Sequence, residues 1–242
     1  CNFYSEKNNF PESLEKEYAT ISNVDGRLKE LELELTAIEK KLKIQAKGLS
    51  DARIKVAKLL AKNVTGELKD LKMADANFGV ELDTKLDLST WKSNGADEIR
   101  FVVQTNAGDT ARPLGKVASG GELSRLMLAI RRVIADRGGI GVYLFDEIDA
   151  GIGGQTAFEV GKKLKSVASY NQVICITHLP QVAAFADHHL SVQKTSSNKK
   201  TLTTVVELTA KERKEEIARM LGGPELTKKS LENAGELLGL AR

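Results

Sequence analysis

Along residues 12 to about 63, apolar side chains return every seven positions. Leu14, Ile21, Leu28, Leu35, Leu42, Leu49 and Val56 make one line. Glu17, Val24, Leu31, Ile38, Gln45, Ala52 and Leu59 make a second, broken by Glu17 and Gln45. Lys and Glu fill the positions between, as in Lys29-Glu30 and Glu39-Lys40-Lys41. A sustained heptad with charged flanks predicts a coiled-coil helix, roughly 75 Å long at about 1.5 Å per residue. Its apolar stripe needs a partner strand, from elsewhere in the same polypeptide or from another chain. Gly26 and Gly48 each weaken the helix by ~1 kcal/mol relative to Ala.

From about residue 76 the pattern changes. Phe78-Gly79-Val80-Glu81-Leu82-Asp83 and Ile99-Arg100-Phe101-Val102-Val103-Gln104-Thr105 alternate as strands do. Asn94-Gly95 lies between them, and Asn106-Ala107-Gly108-Asp109 reads as a turn. The rest predicts a helix over about 120–136, the turn Asp136-Arg137-Gly138-Gly139 and a strand at 140–145. A Gly-rich loop at 149–154, a helix to about 169 and a strand at 173–177 follow. A short helix after Pro180, a polar hairpin near 188–194 and 201–207, and helices near 211–221 and 225–241 complete it. Apolar strands alternating with helices predict an α/β fold with a central parallel sheet covered on both faces.

Composition narrows this picture. At 242 residues the chain holds one or two domains. It is 41% apolar and 29% charged with a formal charge of +3, which permits a local basic patch without demanding nucleic acid. Arg125, Arg131, Arg132, Lys194, Lys199 and Lys200 are the candidates for such a patch. Cys1 and Cys175 are too few for a disulfide framework or a zinc site, and Cys175 sits in an apolar run as a small core residue. There is no apolar run of about 18 residues and no signal sequence at the start. Both point to the cytosol and away from a membrane. The start at Cys1 rather than Met suggests part of a longer polypeptide.

Three segments carry chemistry. An apolar strand ends in Asp146-Glu147. Open α/β sheets bind ligands at the carboxyl ends of their strands. Asp146 is therefore the candidate magnesium ligand, and Glu147 the general base or water-orienting group. Ser119-Gly120-Gly121-Glu122 opens a helix, where N–H groups and the helix dipole favour an anion. The same residues also suit a plain helix cap. His178 ends the second apolar strand at the same sheet edge, in reach of a phosphate oxygen. The loop Ile148-Asp149-Ala150-Gly151-Ile152-Gly153-Gly154 permits close backbone approach or serves as a connector. No Gly-x-x-x-x-Gly-Lys-[Ser/Thr] phosphate loop occurs in the sequence.

The ordered set Ser119-Gly120-Gly121-Glu122, Leu144-Phe145-Asp146-Glu147, Asp149 and His178 resembles the C-terminal lobe of an ABC-type ATPase head. These segments correspond to its signature motif, Walker B, D-loop and switch histidine. The longer runs from Ala118 to Arg125, from Phe145 to Gly154 and from Thr177 to Ala183 are similar to the RecN group of DNA-repair proteins within the SMC-like ATPases. The resemblance covers residues 76–242, and the heptad segment, 1–75, fits the coiled-coil arm that enters such a lobe.

The resemblance implies a mostly parallel sheet flanked by helices, with a long N-terminal coiled-coil helix. It implies ATP and Mg²⁺ as cofactors. Its partners would be an N-terminal lobe of the same protein, a second head as a homodimer on ATP binding, and DNA, with a cytoplasmic, nucleoid-associated location. Ser119, Gly120, Gly121 and Glu122 would meet the nucleotide of the other head. Asp146 and Glu147 would serve their own nucleotide, His178 would sense its γ-phosphate, and Asp149 would bridge the dimer. Without the phosphate loop, the chain alone is expected to be inactive. The competing readings are the ATP-binding subunit of an ABC transporter and a non-enzymatic coiled-coil dimerisation module. Transporter subunits more typically carry Leu at the position of Ala118 and Gln at that of Glu122, and lack the arm.

Overall fold

The computed structural model of the chain describes residues 9–137, 141–197, 200–223 and 225–241. Helix α1 runs Asn9–Lys69, 61 residues, through both Gly26 and Gly48. Two glycine costs of ~1 kcal/mol each do not break a cooperative helix of this length. Leu28, Leu31, Leu35, Ile38, Leu42, Val56 and Leu59 remain exposed, so the heptad stripe faces outward. The helix ends where the Met73 N–H donates to Leu68 O across Lys72, whose φ is 58°. A left-handed residue with this back-bond is a common helix stop, usually built on Gly.

The chain divides into two compact units. The first lies within Cys1–Lys55 and Asp83–Glu98. Its centre is the Asp97 carboxylate, which accepts from Ser50 Oγ at 2.6 Å, Arg53 Nη1 at 2.8 Å and Thr84 Oγ1 at 2.7 Å. Trp91 Nε1 donates to Lys85 O at 2.9 Å, and Lys92 and Gly95 exchange both main-chain hydrogen bonds. Asn94-Gly95 thus lies in a tight turn between the strands Asn77–Thr84 and Asp97–Gln104.

The second unit comprises Val56–Leu82 and Ile99–Arg242. Strands β1 (Asn77–Thr84), β2 (Asp97–Gln104) and β3 (Arg112–Pro113) form a sheet in that order. Next come α2 (Gly120–Ile134), β4 (Val142–Phe145), α3 (Gly154–Ala168), β5 (Gln172–Cys175) and the short α4 (Pro180–Ala183). The antiparallel hairpin β6 (Leu190–Ser197) and β7 (Lys200–Glu207) leads to α5 (Ala210–Gly222) and α6 (Lys228–Leu240). Capping boxes start both terminal helices, Thr209 with Glu212 and Thr227 with Ser230. The pair packs through Ile217, Ala218 and Ala234. The main core joins Val64, Leu68 and Leu71 to Phe78, Val103, Leu126, Leu128, Ile148, Val160 and Val167.

The mixed helix-and-strand lobe entered by a long helix is as expected, but the sheet differs in one respect. Among the described residues the parallel part is the pair β4–β5, registered Val142↔Gln172 to Phe145↔Cys175. Only one of its faces is covered. Phe145 is buried and Tyr143, Val173 and Cys175 pack against the core. The opposite face leaves Val142 63%, Leu144 64%, Ile174 45% and Ile176 56% exposed. Strands apolar on both sides come from sheets covered on both sides; here the second cover is not among the described residues.

Candidate functional site

Helix α2 runs away from Ser119 and β4 returns, so the start of α2 and the end of β4 lie together. Because β5 pairs parallel with β4, with the Ile176 N–H on Phe145 O at 2.9 Å, it ends on the same side. Chain connectivity alone thus gathers the three sequence segments at one edge.

At that edge Ser119 caps α2, its Oγ accepting the Glu122 N–H at 3.3 Å. The cap and the anion-site readings are compatible, since a cap engages only one of the first N–H groups. Ser124 Oγ donates to Asp146 O at 2.8 Å, tying the second turn of α2 to the strand end. Asp146 and Glu147 are both exposed. The Glu147 N–H donates to Asp146 Oδ1 at 2.9 Å, and Glu147 has φ 55°. A left-handed backbone at a non-glycine residue costs of order 1–3 kcal/mol and recurs at functional sites.

The two glycines are there for room. A Cβ on Gly120 would stand 2.4 Å from Glu147 Oε2. One on Gly121 would stand 2.9 Å from Ala150 Cβ and 3.0 Å from Glu147 O. The Glu147 carboxylate therefore lies directly over the Gly-Gly start of α2.

Asp149 is 4% exposed, and its Oδ2 accepts two hydrogen bonds and lies close to the His178 ring. Thr177 Oγ1 is at 2.5 Å, the His178 N–H at 2.9 Å and His178 Nδ1 at 3.0 Å. The His178 ring itself is exposed. Asp149 thus fixes the direction of His178 within its own chain, a role not expected from the sequence. Cys175 on β5 keeps its thiol: burial first, then Asp149 and Asp146, push its pKa up to about 12.

Over 233 residues, 96% of its length, the chain is 36% identical to the DNA repair protein RecN of Halalkalibacterium halodurans. It is 44% identical to the DNA repair protein RecN of Haemophilus influenzae over 210 residues, 87% of its length. This is a RecN-type chain. It spans about two fifths of those relatives, 41% and 37%. No family model matches it. A solved Smc head domain with a coiled coil and joint from Pyrococcus yayanosii superposes with a TM-score of 0.56 at 21% identity. That match covers 85% of this chain and 37% of the other, and it concerns the fold alone.

Arg125 is the main correction. Offered as a surface contact, it is 6% exposed, and its Nη1 donates to Ala150 O at 3.0 Å and Ile148 O at 3.4 Å. Burial pulls its pKa below the usual arginine value, partly countered by Glu122. The signal was in the sequence: Gly121, Arg125, Leu128 and Ala129 fall on one helix face, and all are buried. Of the other basic candidates, Arg131 lies over the Tyr143 ring at 4.5 Å. Arg132 and Lys194 are exposed, and Lys199 and the Lys200 side chain lie outside the described residues. No helix among the described residues is long and apolar enough to cross a membrane.

Proposed function

We propose that this chain is the arm-and-lobe part of an ATP-dependent protein of DNA double-strand-break repair. Residues 1–75 form the coiled-coil arm segment, and residues 76–242 the C-terminal lobe of an SMC-like ATPase head. The observation that carries this reading is the packing of Glu147 Oε2 over Gly120, where a Cβ would have to push the carboxylate aside. It sets a carboxylate beside a helix start that favours anions.

In this reading Glu147 orients and deprotonates the attacking water. His178, aimed by Asp149, addresses the γ-phosphate with Nε2. Ser119, Gly120, Gly121 and Glu122 present hydroxyl and N–H groups to the nucleotide on a second head, so hydrolysis requires a homodimer. Asp149 acts by positioning His178, because its Oδ2 is already engaged inside the chain.

The residues fit a magnesium ion. Asp146 is exposed, and the N–H of Glu147 occupies Oδ1 only. No group of three ligating side chains exists among the described residues, and an ion that keeps water and takes phosphate oxygens needs only one or two carboxylates. When bound, it would neutralise charge on the transferring phosphoryl group.

The bare face of β4–β5 supports a further lobe. Val142, Leu144, Ile174 and Ile176 form an exposed aliphatic patch of the kind that marks an interface. We assign it to the N-terminal lobe of the same protein, which would bring the missing phosphate loop. The exposed heptad stripe of α1 would pair with a second arm helix, linking head closure to the holding of DNA near the nucleoid, without a membrane.

The test is hydrolysis. The purified chain should turn over ATP negligibly, and addition of the polypeptide carrying the phosphate loop should restore it. Glu147→Gln and Ser119→Arg should each abolish the restored activity. Robust turnover by the chain alone, indifferent to Glu147→Gln, would contradict the assignment.

A further inference from the structure

The loop after the two acids is held from outside by two cations. Arg125 Nη1 donates to Ala150 O at 3.0 Å and to Ile148 O at 3.4 Å. Lys72 Nζ donates to the next carbonyl, Gly151 O, at 2.8 Å. The two come from different elements, Arg125 from the second turn of α2 and Lys72 from the residue that stops α1.

Neither placement is what local chemistry would choose. Arg125 is 6% exposed and makes no ion pair among the described residues, and its Nε is buried without a partner. A desolvated charge is costly unless bonded, and here the carbonyls of one loop supply the bonds. Lys72 holds φ 58°, where Gly would be the easier residue. A glycine there could not reach Gly151.

The packing leaves little slack. A Cβ on Gly121 would come within 3.2 Å of Arg125 Nη1 as well as striking Ala150 and Glu147. The start of α2, the guanidinium and the loop are therefore packed directly against one another. Glu147 begins the turn, with the Ala150 N–H on its carbonyl at 3.0 Å, and Asp149 sits inside it.

Resting on the ATP-hydrolysing reading above, we propose that Arg125 is a positioning residue. By holding the carbonyls of Ile148 and Ala150, it fixes the backbone that presents Glu147 and Asp149, and Lys72 fastens the same loop to the end of the arm helix. A misplacement of about 1 Å at a reacting group can cost on the order of a hundredfold in rate, so two hydrogen bonds at this point have leverage on turnover.

The experiment uses the full-length protein that contains this chain. kcat and KM for ATP with magnesium are measured alongside nucleotide-free amide hydrogen exchange. Arg125→Met should lower kcat by about 10- to 100-fold and leave KM within about threefold. Exchange should accelerate at 148–152 and stay unchanged elsewhere. Arg125→Lys, which keeps the charge but loses the fork, should recover part of both effects. Lys72→Met should accelerate exchange at Gly151 and Ile152 with a smaller kcat loss.

Unchanged kcat and unchanged loop exchange in Arg125→Met would overturn the proposal, as would a kcat loss accompanied by faster exchange throughout the chain. If Arg125→Met does not fold, Arg125→Lys and Lys72→Met decide: parental kcat and exchange in both overturns it. The exchange measurement needs no hydrolysis. Should Glu147→Gln leave turnover intact, the ATPase reading fails, while the 148–152 amides still report whether Arg125 holds the loop.

Discussion

Asp149 and His178 meet at a single oxygen: Asp149 Oδ2 lies 3.0 Å from the imidazole Nδ1 and 2.9 Å from the main-chain nitrogen of the same residue. A carboxylate only accepts, so a hydrogen on Nδ1 would face it and leave Nε2 for an outside group. Asp149→Ala would strand the Thr177 hydroxyl and the His178 N–H at a site only 4% exposed. The expected loss is about 2–4 kcal/mol in urea unfolding. Nitrogen-15 NMR should find Nδ1 protonated in the parent chain and the tautomers mixed in the variant. A parent ring protonated on Nε2 alone would refute the arrangement.

The two glycines at the start of α2 should respond differently to a methyl group. On Gly120 the added Cβ meets the mobile end of Glu147, which can swing away. On Gly121 it meets backbone and the Cβ of Ala150. Gly120→Ala is expected within about 1 kcal/mol of the parent, since alanine also favours the helix. Gly121→Ala should lose about 1–3 kcal/mol from overpacking. Chemical denaturation of both variants checks the order, and equal stabilities would mean that the contact at Gly121 is not rigid.

Acid should weaken the unit built around Asp97. Its side chain is 0% exposed. Burial by itself raises the pKa, but hydrogen bonds from Ser50, Arg53 and Thr84 outweigh it and hold the carboxyl below the usual range. The folded pKa is depressed, so the stabilisation is complete above the unfolded value of about 3.9 and fades as pH falls through the folded value. Trp91 is the sole tryptophan and lies in this unit, so its fluorescence isolates the transition. Asp97→Asn should cost about 2–3 kcal/mol at neutral pH and flatten the acid dependence.

Lys163 should show the opposite sign. Its ammonium, 11% exposed, reaches Glu67 at 2.5 Å and Asp70 at 3.0 Å. Burial lowers its pKa, but the two acids more than compensate and raise it above the ordinary lysine value. This stabilisation is complete below the unfolded value of about 10.4 and disappears as pH climbs through the folded one. Lys163→Met should lose about 1–3 kcal/mol by leaving Glu67 without its cation, and adding Glu67→Leu should return part of it. Thermal melts of the single and double variants decide.

Much of this was legible in the residues alone. The long helix showed in its heptads, and the helices after 120 showed in their periodicity and caps. The candidate site showed in Ser119-Gly120-Gly121-Glu122, Asp146-Glu147 and His178, each at the end of a recognisable element. The inward Arg125 departs from expectation, because an arginine in a helix ordinarily lies at the surface, whereas here Gly121, Leu128 and Ala129 on the same face are all buried. Asp149 was seen as a motif residue, yet its partners Thr177 and His178 lie 28 and 29 positions away in sequence. Residues that far apart leave no local signature of their contact.

The order of hydrophobic and polar positions determined which segments became helix or strand and which edge would collect the acids and the imidazole, because both depend on short-range periodicity and on the sense of chain connection. Tertiary packing alone decided which face of β4–β5 the described residues cover, that the Arg125 charge goes inward and that Asp149 turns toward His178. Those outcomes turn on which surfaces close over one another, and a single segment's pattern states only what it can bury, never what arrives to bury it.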